Sequence, residues 1–225
     1  MSRTFFVTGT DTDAGKTTVA AGLLQAARRA GLSTAAVKPV ASGCSGQPLR
    51  NSDALALLAE CSLPLDYTQV NPYAFEPAIA PHIAASEAGA ALSAAQLAEA
   101  VARVQALGAD FTLVEGAGGW RVPLGDRELY SELPRRLGLP VVLVVGVKLG
   151  CINHALLTAE AIRRDGLRLA GWVANLVDPQ TSRLEENLAT LERLIDAPCL
   201  GRVPHLLEPT AGAVADHLDP APLLG

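Results

Sequence analysis

Apolar residues along the chain fall into two kinds of segment. Short, mostly continuous apolar runs at Thr4–Thr8, Thr34–Val37, Phe111–Val114, Val141–Val145, Leu169–Ala174 and Leu200–Val203 are bounded by Gly, Pro or polar residues. Continuous rather than alternating runs predict strands buried on both faces, hence a parallel sheet. Between them, Ala- and Leu-rich stretches with helical spacing predict helices over Lys16–Ala30, Asp53–Glu60, Ser93–Leu107, Glu128–Leu137, His154–Asp165 and Arg183–Ile195. Ser93 followed by Gln96 reads as a capping box, and Gly31, Gly108, Gly138 and Gly166 stand where helices should stop. This alternation predicts an α/β fold, a single doubly wound domain over residues 1–225 with a mostly parallel sheet and helices on both faces. Two stretches break the rhythm. Residues 62–90 carry Pro64, Pro72, Pro77 and Pro81 and predict a long ordered loop of the functional kind. After Val203 the chain is rich in Pro and Ala and is expected to pack loosely.

Composition narrows the class. Hydrophobic residues make up 49% of the 225 positions and charged ones 18%, enough for a large core and too apolar for disorder. A net charge of -5 gives no electrostatic reason to expect nucleic acid or an anionic membrane as partner. The longest apolar stretch, Pro140 to Val147, is far short of a bilayer span. Met1-Ser2-Arg3-Thr4 runs directly into a strand, with no apolar signal region. Cys44, Cys61, Cys151 and Cys199 form no CxxC pair, so reduced thiols and a cytoplasmic location are expected.

The chemistry concentrates at strand ends. Strand Thr4–Thr8 leads into Gly9-Thr10-Asp11-Thr12-Asp13-Ala14-Gly15-Lys16-Thr17-Thr18 and then a helix, the context of a phosphate-binding loop. Its backbone N–H groups face phosphates, Lys16 reaches the β and γ oxygens, and the Thr17 hydroxyl suits Mg²⁺. Five residues, rather than the commoner four, separate Gly9 from Gly15. Glu115, closing the strand before Gly116-Ala117-Gly118-Gly119, is placed to hold Mg²⁺, and those small residues let N–H groups approach an oxyanion. Lys38, after the second strand, suits the charge of a phosphoryl-transfer transition state. Ser42 and Gly43 offer a polar turn to a substrate, and Asp53 is either a first-turn acid for its helix or a second metal carboxylate. Asn175 reads as a base-edge contact, although Leu176 stands where guanine-specific sites carry Lys. Pro204-His205-Leu206 occupies the corresponding edge and can close over the base. Gly9–Thr17, Lys38, Glu115, Lys148, Asn175 and Pro204 all lie just past strand ends, where open parallel sheets bind ligands.

Taken with Lys38-Pro39-Val40-Ala41-Ser42-Gly43, Asn51-Ser52-Asp53, Asn71-Pro72-Tyr73, Pro81-His82, Val114-Glu115-Gly116-Ala117-Gly118-Gly119-Trp120 and Gly150-Cys151-Ile152-Asn153-His154, this loop resembles the dethiobiotin synthetase family from about Phe5 to Leu206. The five-residue loop spacing is that family's own. The resemblance implies a P-loop NTPase-like fold and ATP-dependent closure of 7,8-diaminononanoate with CO2 to dethiobiotin, by way of a carbamate phosphorylated by ATP. By position it implies Lys16 and Lys38 as catalytic cations and Thr17, Asp53 and Glu115 as Mg²⁺ ligands. ATP contacts fall to Asp13, Ala14, Gly15, Lys16, Thr17, Thr18, Asp53, Glu115, Gly116, Ala117 and Gly118, with adenine at Asn175, Leu176, Pro204, His205 and Leu206. Thr12 and Ser42 would meet the diamine or carbamate. Gly150, Cys151, Ile152 and Asn153 would cradle the substrate carboxylate from the other subunit of a homodimer, as suits a helix N-terminus. This chain has Asp13 where family members often have Glu, and its loop 44–49 is short. Two rivals fit less well. An amidoligase with an added glutaminase domain lacks room, and a switch ATPase would carry Lys where Asp11 stands.

Overall fold

The computed structural model describes residues 3–224. In chain order the elements are β1 (Arg3–Gly9), α1 (Lys16–Arg29), β2 (Thr34–Val37), β3 (Val40–Ala41), α2 (Ser52–Ala59), α3 (Tyr67–Val70), β4 (Tyr73–Ala74), α4 (Pro81–Glu87) and α5 (Ala94–Gln105). There follow β5 (Phe111–Glu115), α6 (Glu132–Leu137), β6 (Val141–Gly146), α7 (Cys151–Arg164), β7 (Leu169–Asn175), α8 (Leu184–Leu194), β8 (Cys199–Val203), α9 (Ala211–Ala215) and α10 (Ala221–Leu224). Six strands form one sheet in the order β2-β5-β1-β6-β7-β8, every pairing parallel. The apolar runs at β1, β5 and β6 are continuous because both faces are covered. Along β1, Phe6 joins a core with α4, α5, α6, α7 and α8, while Phe5 and Val7 join a second core with α1, α2, α9 and α10. The doubly wound, parallel architecture read from the sequence is the one observed.

Several element boundaries differ. The helix expected over Glu128–Leu137 begins at Glu132. Pro134 lacks an amide hydrogen and is tolerated only in a first turn, so the helix starts just before it. Glu128 instead turns its carboxylate to accept the Ala94 amide at 2.7 Å, at the start of α5. The helix expected from His154 begins at Cys151, where Gly150 (φ 92°) supplies the left-handed residue that lets the chain swing into α7. Half of the predicted capping box forms. The Ser93 hydroxyl accepts the Gln96 amide, but the Gln96 side chain meets that hydroxyl rather than the Ser93 backbone. The loop expected over 62–90 contains α3, β4 and α4, with β4 pairing parallel to β3 in a small second sheet.

The stretch after Val203 does not pack loosely. Val214 is fully buried and Leu223 nearly so, both in the core under α1. The docking needs a helix surface without a side chain at Gly22, since a methyl built there would overlap Val214. Arg29 fixes the same contact from the rim, donating to Asp216 at 2.7 Å and to the Gly212 carbonyl at 3.1 Å. Gly22→Ala, a change that ordinarily favours a helix, is therefore expected to destabilise the fold by about 1–3 kcal/mol through overpacking, read as a lowered midpoint in thermal unfolding.

Candidate functional site

The phosphate loop joins β1 to α1 across the middle of the sheet. Gly15 (φ 84°) caps α1 in the left-handed region, and Asp13 (φ 59°) adopts the same region without glycine's freedom. Two ties hold the loop from the neighbouring strand β6. The Thr10 amide donates to the Val144 carbonyl at 2.9 Å, and the Gly146 amide donates to the Thr10 hydroxyl at 3.2 Å. From β7, the Asn175 side-chain amide donates to the Ala14 carbonyl at 3.0 Å. Asn175 therefore supports the phosphate loop, a role its strand-end position did not reveal.

A polar cavity of about 290 Å³ opens over this loop, lined by Thr12, Asp13, Gly15, Lys16, Thr17, Thr18, Lys38, Val40, Ala41, Ser42, Asp53, Ala117 and Gly118. Residues read separately from three strand ends and one helix start thus meet. At its floor the Lys38 ammonium lies 2.5 Å from Glu115 Oε1 and 2.9 Å from Asp53 Oδ2. Thr17 donates its hydroxyl to the same Glu115 oxygen at 2.8 Å. Glu115 is fully buried, and its Oε2 has no hydrogen-bond partner. Burial opposes the Lys38 charge, but the pull of Glu115 and Asp53 outweighs it and holds its pKa above the ordinary lysine value. For Lys16 the balance tips the other way. Burial, with Lys38 adding to it, outweighs the attraction of Glu115 and Asp53 and lowers its pKa. Lys16 donates to the Asp11 carbonyl at 3.3 Å and lines the polar cavity.

The motifs around Asn51 and Asn71 explain why Lys38 stands where it does. Asn71 donates to the Lys38 carbonyl at 2.8 Å, and the Lys38 amide donates to the Val70 carbonyl at 2.7 Å. Tyr67 donates its hydroxyl to Asn71 Oδ1 and accepts the Asn51 amide. Asn51 caps α2 by accepting the amides of Asp53 and Ala54, and donates its own side-chain amide to the Ser42 carbonyl at 3.3 Å. One buried network thus positions Lys38, Ser42 and Asp53 together. Sequence reading flagged Asn71-Pro72-Tyr73 only as a motif and missed the network; the i,i+4 pair Tyr67 and Asn71 was its visible trace.

Oxygen donors from Thr17, Asp53 and Glu115, with one Glu115 oxygen unsatisfied, fit a hard divalent cation. Among the described residues no three His, Cys, Asp or Glu side chains gather as a metal site, here or elsewhere, so the donor set is two carboxylates and a hydroxyl. Beside the polar cavity lies a second of about 230 Å³, lined by Thr18, Asn175, Leu176, Val177, Val203, Pro204, His205, Leu206 and Pro209. Thr18 borders both. Asp178 is not in its lining and instead accepts the Gln180 amide, so the Asn-x-x-Asp pattern does not assemble a guanine-type site. Gly116 lies at the loop's root against the Phe6 ring rather than in the cavity wall. Gly150, Cys151, Ile152 and Asn153 line neither cavity; they form the start of α7, which has no side-chain cap.

A family model described as an AAA domain matches residues 3–211. A protein of Pseudomonas paraeruginosa named "ATP-dependent dethiobiotin synthetase BioD" is 74% identical over 221 residues, covering 97% of each chain. One of the same name from Cellvibrio japonicus is 62% identical, covering 99% of this chain and 98% of its own. Among solved structures, the septum site-determining protein MinD with Mg-ADP from Pyrococcus horikoshii aligns over 99% of this chain and 89% of its own at 16% identity, with a TM-score of 0.60. A ParA family ATPase from Chlorobium tepidum aligns over 96% of this chain and 91% of its own at 15% identity, with a TM-score of 0.55. These two likenesses concern the fold, which is that of P-loop NTPases.

The loop geometry yields a direct expectation. A methyl built on Gly15 would overlap the Asn175 side chain that holds the loop, at a φ that other residues rarely adopt. Gly15→Ala is expected to weaken Mg·ATP binding at least tenfold by calorimetry, whereas retained affinity would show that the loop is not set by this contact.

Proposed function

Because the chain belongs to the ATP-dependent dethiobiotin synthetase family, we propose that it closes 7,8-diaminononanoate and CO2 into dethiobiotin, with ATP converted to ADP and phosphate, the penultimate step of biotin biosynthesis. The observation that carries this reading is the polar cavity in which Lys16, Lys38, Thr17, Asp53 and Ser42 meet over buried Glu115, next to a separate base-sized cavity. A single domain over residues 1–225 belongs to this reading, supported by the one sheet that holds both β1 and β8.

One amine of the substrate adds to CO2, forming a carbamate and releasing a proton. A carbamate oxygen attacks the γ-phosphorus, the bond to the bridging oxygen breaks, and ADP departs. The second amine then attacks the carbonyl carbon of the mixed anhydride, closing the ring, expelling phosphate and losing its proton. Thr12 and Ser42, on the cavity wall, orient the diamine and carbamate. Lys38 and Lys16 neutralise the carbamate and the oxygens of the transferred phosphoryl, where fixed cations stabilise developing charge without reorganising. Mg²⁺, held by Thr17, Asp53 and Glu115, would supply further charge neutralisation to the phosphates when bound. Asp13, Ala14, Gly15 and Thr18, with Ala117 and Gly118 and with Gly116 at the root of their turn, present the phosphate-binding backbone, and Asn175, Leu176, Pro204, His205 and Leu206 hold adenine.

A homodimer completes the site. The uncapped α7 start at Gly150, Cys151, Ile152 and Asn153 is a ready carboxylate cradle that its own cavity does not use. The adjacent Leu149 is 95% exposed and Leu157 58% exposed, apolar surface that a second copy would cover. The enzyme works in the cytoplasm, in keeping with its four free cysteines. No helix among the described residues is long and apolar enough to cross a membrane.

The proposal is tested by measuring ADP release from Mg·ATP and bicarbonate with and without 7,8-diaminononanoate. Strong dependence on the diamine, with dethiobiotin identified by mass spectrometry, is expected; release indifferent to the diamine would mark a nucleotide switch instead. Lys38→Gln keeps a hydrogen-bond donor toward Glu115 but removes the charge. It is expected to lower kcat by about 100-fold or more with a much smaller change in KM for ATP, and the reverse pattern would make Lys38 a binding residue.

A further inference from the structure

Lysine occurs only three times in the chain, against fifteen arginines. All three stand at the carboxyl edge of the sheet. Lys16 follows β1 and the phosphate loop, Lys38 follows β2, and Lys148 follows β6. Elsewhere the protein meets its need for positive charge with arginine, on the surface helices and at β8. A lysine ammonium is a compact point charge, whereas arginine is a broad planar fork, so the restriction of lysine to this edge marks a place where charge rather than bidentate geometry matters. Lys16 and Lys38 line the phosphate cavity; Lys148 does not, and the reaction described above leaves it without a role.

The partner of Lys148 is Asp11, with Nζ 3.8 Å from Asp11 Oδ2. The other carboxylate oxygen of Asp11 accepts the Thr12 amide at 2.8 Å, and its carbonyl accepts Lys16 at 3.3 Å. Asp11 is therefore tied on three sides, and the turn that bears Lys148 is itself held where the Val147 amide donates to the Asn175 carbonyl at 2.7 Å. A loop read as the seat of a triphosphate nevertheless carries two acids, Asp11 and Asp13, whose charge opposes a polyanion. The Asp11–Lys148 side chains are 53% and 43% exposed, so the pair adds little to fold stability. Its consequence lies in the potential at the loop.

We propose that Lys148 is a positioning residue of the phosphate loop, neutralising Asp11 and keeping that carboxylate turned toward the β6–α7 turn and away from bound triphosphate. This rests on reading the loop as an ATP site, but not on the ligase reaction. Calorimetric titration of the full-length protein with Mg·ATP needs no turnover, so it stands whether or not the diamine supports ADP release. At low ionic strength Lys148→Ala is expected to bind Mg·ATP about three- to tenfold more weakly, and the deficit shrinks as added salt screens the freed Asp11 charge. Lys148→Gln, closer in length, is expected to behave alike. Restoring the balance in the double variant Asp11→Asn/Lys148→Ala is expected to recover affinity to within about twofold of the parent, the coupling that a double-mutant cycle isolates. Undiminished affinity in both single variants would overturn the proposal. So would a loss that Asp11→Asn leaves unrepaired, which would mean that Lys148 touches the nucleotide or supports the turn rather than acting on Asp11.

Discussion

A lysine ammonium, almost entirely buried, is held between a fully buried glutamate and a helix-start aspartate, and the surrounding structure is organised to keep it there. Removing one partner of such a pair leaves an uncompensated charge, at a cost of about 3–5 kcal/mol. The Lys38–Glu115–Asp53 cluster therefore depends on several elements at once. β5 supplies Glu115, the α2 start supplies Asp53, and the segment through α3 and β4 fixes the Lys38 backbone through Val70 and Asn71. The pull of the two carboxylates keeps Lys38 charged despite its burial. Lys16, beside it, is buried with less compensation and gains most from an incoming anion. With Lys16 counted, two ammonium groups stand against the two carboxylates of Glu115 and Asp53.

The strand order sets the two cavities side by side along the sheet edge. β1 and its loop stand centrally, with β5 and β2 on one side and β6, β7 and β8 on the other. β2 and β5 bring Lys38 and the small residues Ala117 and Gly118 to the polar cavity, with Glu115 beneath it. β7 and β8 bring Asn175 and Pro204–Leu206 to the second cavity, and Thr18 stands between the two. Asn175 also reaches back to the Ala14 carbonyl, so the wall of the base cavity and the phosphate loop are one hydrogen-bonded unit. The carboxyl edge of a parallel sheet is where such a division is expected.

What the sequence made legible follows local pattern. Most of the six main strands announce themselves as apolar runs because they are covered on both faces, β8 at the edge being only half-buried, and the phosphate loop is legible because its strand and helix flank it directly. The short elements α3, β4 and α4 carry too few residues for a period to show. The α6 start was set by Pro134 and by Glu128 capping another helix, a contact 34 positions away in the chain. The packing of α9 was hidden because its Ala-rich sequence looks weak alone; the information sits in Gly22, on the helix it meets. At the site, residue types at strand ends identified the chemical groups, whereas the Asn51–Tyr67–Asn71 network and the Asp11–Lys148 pair join segments far apart in sequence. Apart from the i,i+4 spacing of Tyr67 and Asn71, these hydrogen bonds and this ion pair leave no periodic trace.

The central claim is that the γ-phosphoryl of ATP passes to a carbamate oxygen over the Lys38 cluster. Oxygen-18 bicarbonate, supplied with the diamine and Mg·ATP in a reaction short against exchange of label with water, tests it most directly. Transfer to the carbamate predicts that the phosphate product carries one labelled oxygen from the bicarbonate, because that oxygen bridges carbon and phosphorus before the ring closes. Phosphate free of bicarbonate label would contradict the account and assign the attack on ATP to water.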